Sequence, residues 1–228
     1  MRRGLLLLVL LLAGCGAPPQ EDPAAAAFAQ PRLAANAELV RRGDVQFDRG
    51  DLDGARSLYA EAVKTPGTDV AHVEACAQLA RVELLQGTPL EGRPWLNMAE
   101  ARARVEAPVG WSRLQLVIAL YEIDDAQYEV ATQRLEALYD YCLDAQLFER
   151  ALDAARQAAR LGVSREVQLE WARKGVAAAE KGGLYLELAA LWNELGERLQ
   201  AEGRSEDAAL AFDEARRYRE AAEAGEDG

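Results

Sequence analysis

The sequence predicts an all-α fold, a solenoid of about five antiparallel helical hairpins, and three observations predict it. Alanine, leucine, glutamate and arginine dominate the 228 residues, while strand-forming runs are scarce. From Asn36 onward apolar residues recur at three- and four-residue spacing, as along Trp111, Leu114, Val117, Ile118 and Tyr121. Short turn signals interrupt that pattern near Gly50-Asp51, Pro66-Gly67, Gly87-Thr88, Pro108–Gly110, Asp124-Asp125, Gly162, Gly182-Gly183 and Gly203. About ten helices pair off between these breaks, with no strand candidate.

Bulk properties narrow the function classes. Half of the chain is apolar, enough to bury a core and to exclude an acidic disordered protein. The formal charge is −12, from 26 basic and 38 acidic side chains. Such a surface repels phosphate backbones, so no nucleic-acid partner is expected.

Residues 1–14 read as a signal peptide: Arg2-Arg3, the apolar run Leu5–Leu12, then small residues. That run falls well short of the roughly 20 residues a membrane-crossing helix needs. Gly16–Pro31 contains four prolines and an alanine run, so 15–35 is expected to be a flexible tether. Stretched out, its proline part rises about 3.1 Å per residue. The helical domain is expected over 36–222, with a disordered tail at 223–228.

Within that domain Asp51, Ser164 and Ser205 are natural N-caps, and Asp124 to Gln127 fits a capping box. Thr88-Pro89-Leu90-Glu91 fits another, but Pro94 would break a helix begun there. The expectation is therefore an irregular connector over Gly87–Arg93 and a helix starting near Pro94.

Two resemblances carry further implications. Leu12-Ala13-Gly14-Cys15 resembles the lipobox of bacterial lipoproteins. It implies cleavage before Cys15, acylation of that cysteine, and a membrane partner reached through the lipid anchor. Gly16 in place of aspartate favours the outer membrane over retention in the inner one, with the domain in the periplasm in either case.

The series Trp192, Leu195-Gly196, Leu199, Gly203, Ala208, Phe212, Ala215 resembles the tetratricopeptide repeat. Leu39, Gly43, Phe47, Gly50, Ala55, Tyr59, Ala62, Pro66 follows it too, with Arg42 where leucine is usual and Phe47 one place late. The resemblance thins between them. Residues 73–106 keep Leu79-Ala80, Gly87, Leu96 and Ala99 but carry Gly92 for the usual alanine. Residues 112–143 keep Ile118-Ala119, Ala131 and Leu135, and residues 148–181 keep Gly162 and Trp171.

In that family the first helices of successive pairs line a groove. By resemblance the partner-binding positions here are Val40, Asp44 and Phe47, then Ala77, Arg81 and Leu84, then Leu116, Leu120 and Ile123. Asn193, Glu197 and Gln200 would continue the row. The first three sets are apolar enough to grip a partner helix or extended peptide, unless a neighbouring helix covers them.

Catalytic signals are weak. His72 is the lone histidine and fits a helix start; no second one completes a zinc site, so no metal or cofactor is expected. Cys76 and Cys142 either pair as an oxidised bridge or fill space as buried thiols. Asp124-Asp125 and Glu206-Asp207 are explained by helix dipoles without hydrolysis. No phosphate-cradling loop, serine elbow or dinucleotide fingerprint occurs.

The expectation is a non-catalytic, membrane-anchored adaptor that binds an envelope protein or peptide during envelope assembly or secretion. The alternative is a binding protein for cell-wall glycan or a small envelope ligand. A helical hydrolase with an acidic pair in a pocket is a third class.

Overall fold

The computed structural model describes residues 23–161, 164–201 and 203–226. The expected signal peptide and Cys15 lie outside them. Among the described residues the fold is all-α, ten helices and no strand. They are α1 (Pro23–Asp48), α2 (Leu52–Lys64), α3 (Asp69–Leu85), α4 (Pro89–Arg102) and α5 (Pro108–Asp124), then α6 (Tyr128–Asp144), α7 (Phe148–Leu161), α8 (Arg165–Gly182), α9 (Tyr185–Ala201) and α10 (Ser205–Glu226). Helices pack in consecutive pairs, α1 on α2 through α9 on α10, and α1, α3, α5 and α7 also touch in series.

Position in that series decides what each helix buries. The outer α2 buries one face, Ala55, Tyr59 and Ala62. The central α3 is enclosed all round, from Ala71, Val73, Ala75 and Cys76 through Leu79, Ala80 and Val82. The same holds for α5, where Leu114, Leu116, Val117, Ala119 and Tyr121 are all buried. Each fully buried leucine there contributes about 2 kcal/mol.

Two glycines let helices cross closely. A Cβ at Gly43 would stand 2.5 Å from the Tyr59 ring, and one at Gly196 would stand 2.6 Å from Phe212. Glycine at both positions leaves room for the aromatic ring of the paired helix. At Gly92, where the repeat pattern departs, the Tyr121 hydroxyl fills the space and donates to the Ala80 carbonyl at 2.8 Å.

Turn chemistry follows a common closure. The Gly50 N–H donates to the Phe47 carbonyl and the Asp51 N–H to that of Gln46, with Gly50 at φ +79°. The same two bonds close α3, α5, α6, α8 and α9, with Gly87, Ala126, Gln146, Gly183 and Gly203 in the left-handed position. Asp51 and Ser164 cap α2 and α8 as expected, accepting from the N–H of Gly54 and Val167.

Several boundaries differ from expectation. Helix α1 runs from Pro23, within the expected tether: proline at a first helical position costs no bond, and Ala24–Ala27 have the highest helix propensity. Helix α10 extends to Glu226 and takes up most of the expected tail, 223–228.

Helix α4 starts at Pro89 rather than near Pro94. Pro94 forgoes one ladder bond, to the carbonyl of Leu90, which is 78 % exposed and open to water. Asp124 ends α5 instead of capping α6, whose start at Gln127 has no side-chain cap. A turn over Ala145–Leu147 has no glycine or proline to announce it.

Candidate functional site

Asp44 on α1 meets side chains of α2, α3 and α5. Its carboxylate accepts from the Tyr59 hydroxyl at 2.7 Å, the Gln78 amide at 2.9 Å and both terminal nitrogens of Arg113 at 2.6 and 3.0 Å. Arg113 Nε lies 3.0 Å from Glu74, which also stands 3.5 Å from Arg150 on α7. Alternating charges thus run from α1 through α3 and α5 to α7.

Burial decides the strength of this chain, because charges removed from water must be paired. Arg113 is only 7 % exposed. Burial pushes the Asp44 carboxyl up, but the Arg113 guanidinium outweighs it and holds the carboxyl below its ordinary value. Burial likewise opposes the Arg113 cation, and the charges of Glu74 and Asp44 more than restore it. Burial pushes the Tyr59 phenol up, and the adjoining Asp44 charge pushes the same way.

Arg81 stands apart from this pairing. It is half-buried on α3, with its guanidinium 4.6 Å from the centre of the Phe47 ring. No carboxylate among the described residues lies within ion-pair distance, and burial lowers its proton affinity against the opposing charge of Asp153.

The nine expected groove residues therefore divide. Val40, Ala77 and Leu116 are core residues, 3 %, 0 % and 2 % exposed, and line no surface. The reason is the enclosure of α3 and α5: their inner sides are covered by the neighbouring odd-numbered helices. Asp44 is committed to Arg113. Phe47 and Arg81 are brought together, while Leu84, Leu120 and Ile123 stay half-buried toward the C-terminal ends of α3 and α5. Leu85, 56 % exposed, lies beside Leu84. Of the continuing row, Asn193 is half-buried, and Glu197 and Gln200 are exposed.

Sequence reading missed Glu74, Gln78, Arg113 and Arg150. One signal could have found them: Arg113 is the only charge between Trp111 and Tyr121, and a cation within an apolar helix demands a buried partner.

The other candidates resolve simply. Cys76 and Cys142 are both buried and unpaired, in separate core clusters. Burial pushes their thiols up to about 11 and about 12, which makes them inert fillers. No group of three potential metal ligands occurs among the described residues. Nor is any described helix long and apolar enough to cross a membrane.

No protein-family model matches the chain, and no curated protein matches its sequence. The fold is similar to the crystal structure of BtubC (BKLC) from P. vanneervenii, with a TM-score of 0.59 at 17 % identity. The alignment covers 88 % of this chain and 86 % of that one. At this identity the likeness concerns the fold alone.

Proposed function

We propose that the chain is a lipoprotein anchored through Cys15 whose tetratricopeptide-like solenoid of five hairpins serves as a non-catalytic adaptor for an envelope protein. The repeat reading is supported by geometry that recurs at equal spacing in the first and last pairs. Gly43 faces Tyr59 as Gly196 faces Phe212, and Gly50 and Gly203 turn the chain between them. Hairpins of this kind stack on their neighbours and bind partners along the row of first helices.

One observation carries the adaptor reading: Arg81 stacked on Phe47, a cation with no carboxylate within ion-pair distance among the described residues, although the charges of Asp153 and Asp44 act on it. Half-buried Leu84, Leu120 and Ile123 and exposed Leu85 lie on the same two helices or the next. Aromatic, arginine and leucine side chains at a rim of this sort are where binding energy concentrates. An amphipathic segment with an acidic flank suits it, the apolar side on Leu120 and the acid on Arg81.

The test is crosslinking of the lipidated protein in living cells, beside a Leu120→Glu variant with unchanged circular dichroism. One dominant envelope protein, lost in the variant, supports the adaptor. The same capture by both proteins removes the groove from the reading. Cys15→Ala should abolish fatty-acid labelling, and labelling that persists would sink the anchor.

A further inference from the structure

The seam where α9 meets α7 and α8 gathers arginine side chains. A cleft of about 700 Å³, counted out to open solvent, is walled there by Arg156 and Arg160 of α7, Trp171 of α8, and Glu194, Leu195 and Arg198 of α9. In a chain carrying −12 overall, three guanidiniums against one carboxylate reverse the sign locally. None of the three arginines pairs with a carboxylate among the described residues. Arg156 Nε is buried and has no hydrogen-bond partner, and a native structure seldom leaves such a donor idle.

We propose that this cleft binds a phosphomonoester group. The net charge of the four ionised side chains is +2, which a phosphate dianion of about −2 neutralises, whereas a single carboxylate leaves a cation over. Guanidinium forks match phosphate oxygens two at a time. Trp171, 5 % exposed, and Leu195 form an apolar wall beside the arginines, suited to the carbon side of an ester. The site is independent of the Phe47–Arg81 surface and stands or falls by itself.

The phosphomonoester can be that of a soluble metabolite or of a lipid headgroup, and the experiment separates the two. The full chain is titrated calorimetrically with glycerol 3-phosphate and with inorganic phosphate, glycerol serving as control. The chain without its acyl groups is also floated with phosphatidylcholine vesicles with and without phosphatidic acid.

Saturable heat with glycerol 3-phosphate assigns a soluble ligand; binding confined to phosphatidic acid vesicles assigns a headgroup. In either case Arg160→Gln and Arg198→Gln, both at exposed positions, should weaken binding about tenfold with circular dichroism unchanged. No binding of any phosphate form overturns the proposal. So does binding that both variants retain at full strength.

Discussion

At the scale of single residues, the ion chain on Arg113 is the most consequential feature. Removing one member of a buried pair leaves the other uncompensated, at a cost of about 3–5 kcal/mol. Arg113→Ala should therefore lower urea-unfolding stability by that order, since Asp44 loses its paired cation and Glu74 keeps only Arg150, at 3.5 Å. A loss below about 1 kcal/mol, as for exposed pairs, would show the network to be ornamental. This network was only half legible. Asp44 was visible as a groove position, but its partner lies 69 residues on, and periodicity carries no information about pairing across that distance.

His72 supplies a second test because it is the only histidine. Burial lowers its proton affinity and the nearby Arg102 charge adds to this, against the Asp69 charge and the hydrogen bond to the Val63 carbonyl. The unfolded chain therefore takes up the proton first as pH falls through 6.5, the ordinary value. Stability is full above that pH and declines below it until the folded value is passed. Thermal melts from about pH 7.5 down to about 6 should show this decline, and His72→Gln should flatten it. An equal slope in both proteins would assign the decline to other groups.

At the scale of the element, helix number and type were readable because apolar spacing and turn residues agree. Boundaries failed where local chemistry pointed elsewhere. Pro94 suggested a late start for α4, yet an exposed first turn tolerates the missing bond. The turn at Gln146 went unmarked because a side-chain-bearing residue occupies a position where glycine is usual, at φ +58°, as Ala126 also does in the turn that Asp124-Asp125 announced. Left-handed backbone costs such residues roughly 1–2 kcal/mol, partly offset by glycine's entropy on unfolding. Gln146→Gly should thus raise unfolding stability by about 0.5–1 kcal/mol, read from denaturant midpoints. Destabilisation instead would mean that the Gln146 side chain holds the α6–α7 turn.

At the scale of the whole molecule, an all-α chain was legible, but not the enclosure of its central helices. A groove drawn from repeat positions presumes that first helices expose one side. Here α3 and α5 carry small and apolar residues on every side, so Ala77 and Leu116 pack where an open groove was expected. The same view shows that the ends are unequal. Core clusters share helices continuously from α1 to α8. Beyond them, Leu188, Ala189 and Leu191 of α9 and Tyr218 of α10 join Leu152 of α7 and Ala179 of α8, and a last, smaller cluster among the described residues holds Leu199, Ala208 and Ala211. Two clefts line the α8–α9 seam, the second of about 1250 Å³ counted to open solvent. Fewer buried apolar groups mean a smaller free energy of local opening. Native-state hydrogen exchange should therefore show α9 and α10 opening together, well below the free energy of α3 and α5. If phosphomonoesters bind the seam, adding one should raise protection in α9 and α10 selectively. Uniform protection along the chain would instead describe one cooperative unit, in which the seam is as firmly closed as the centre.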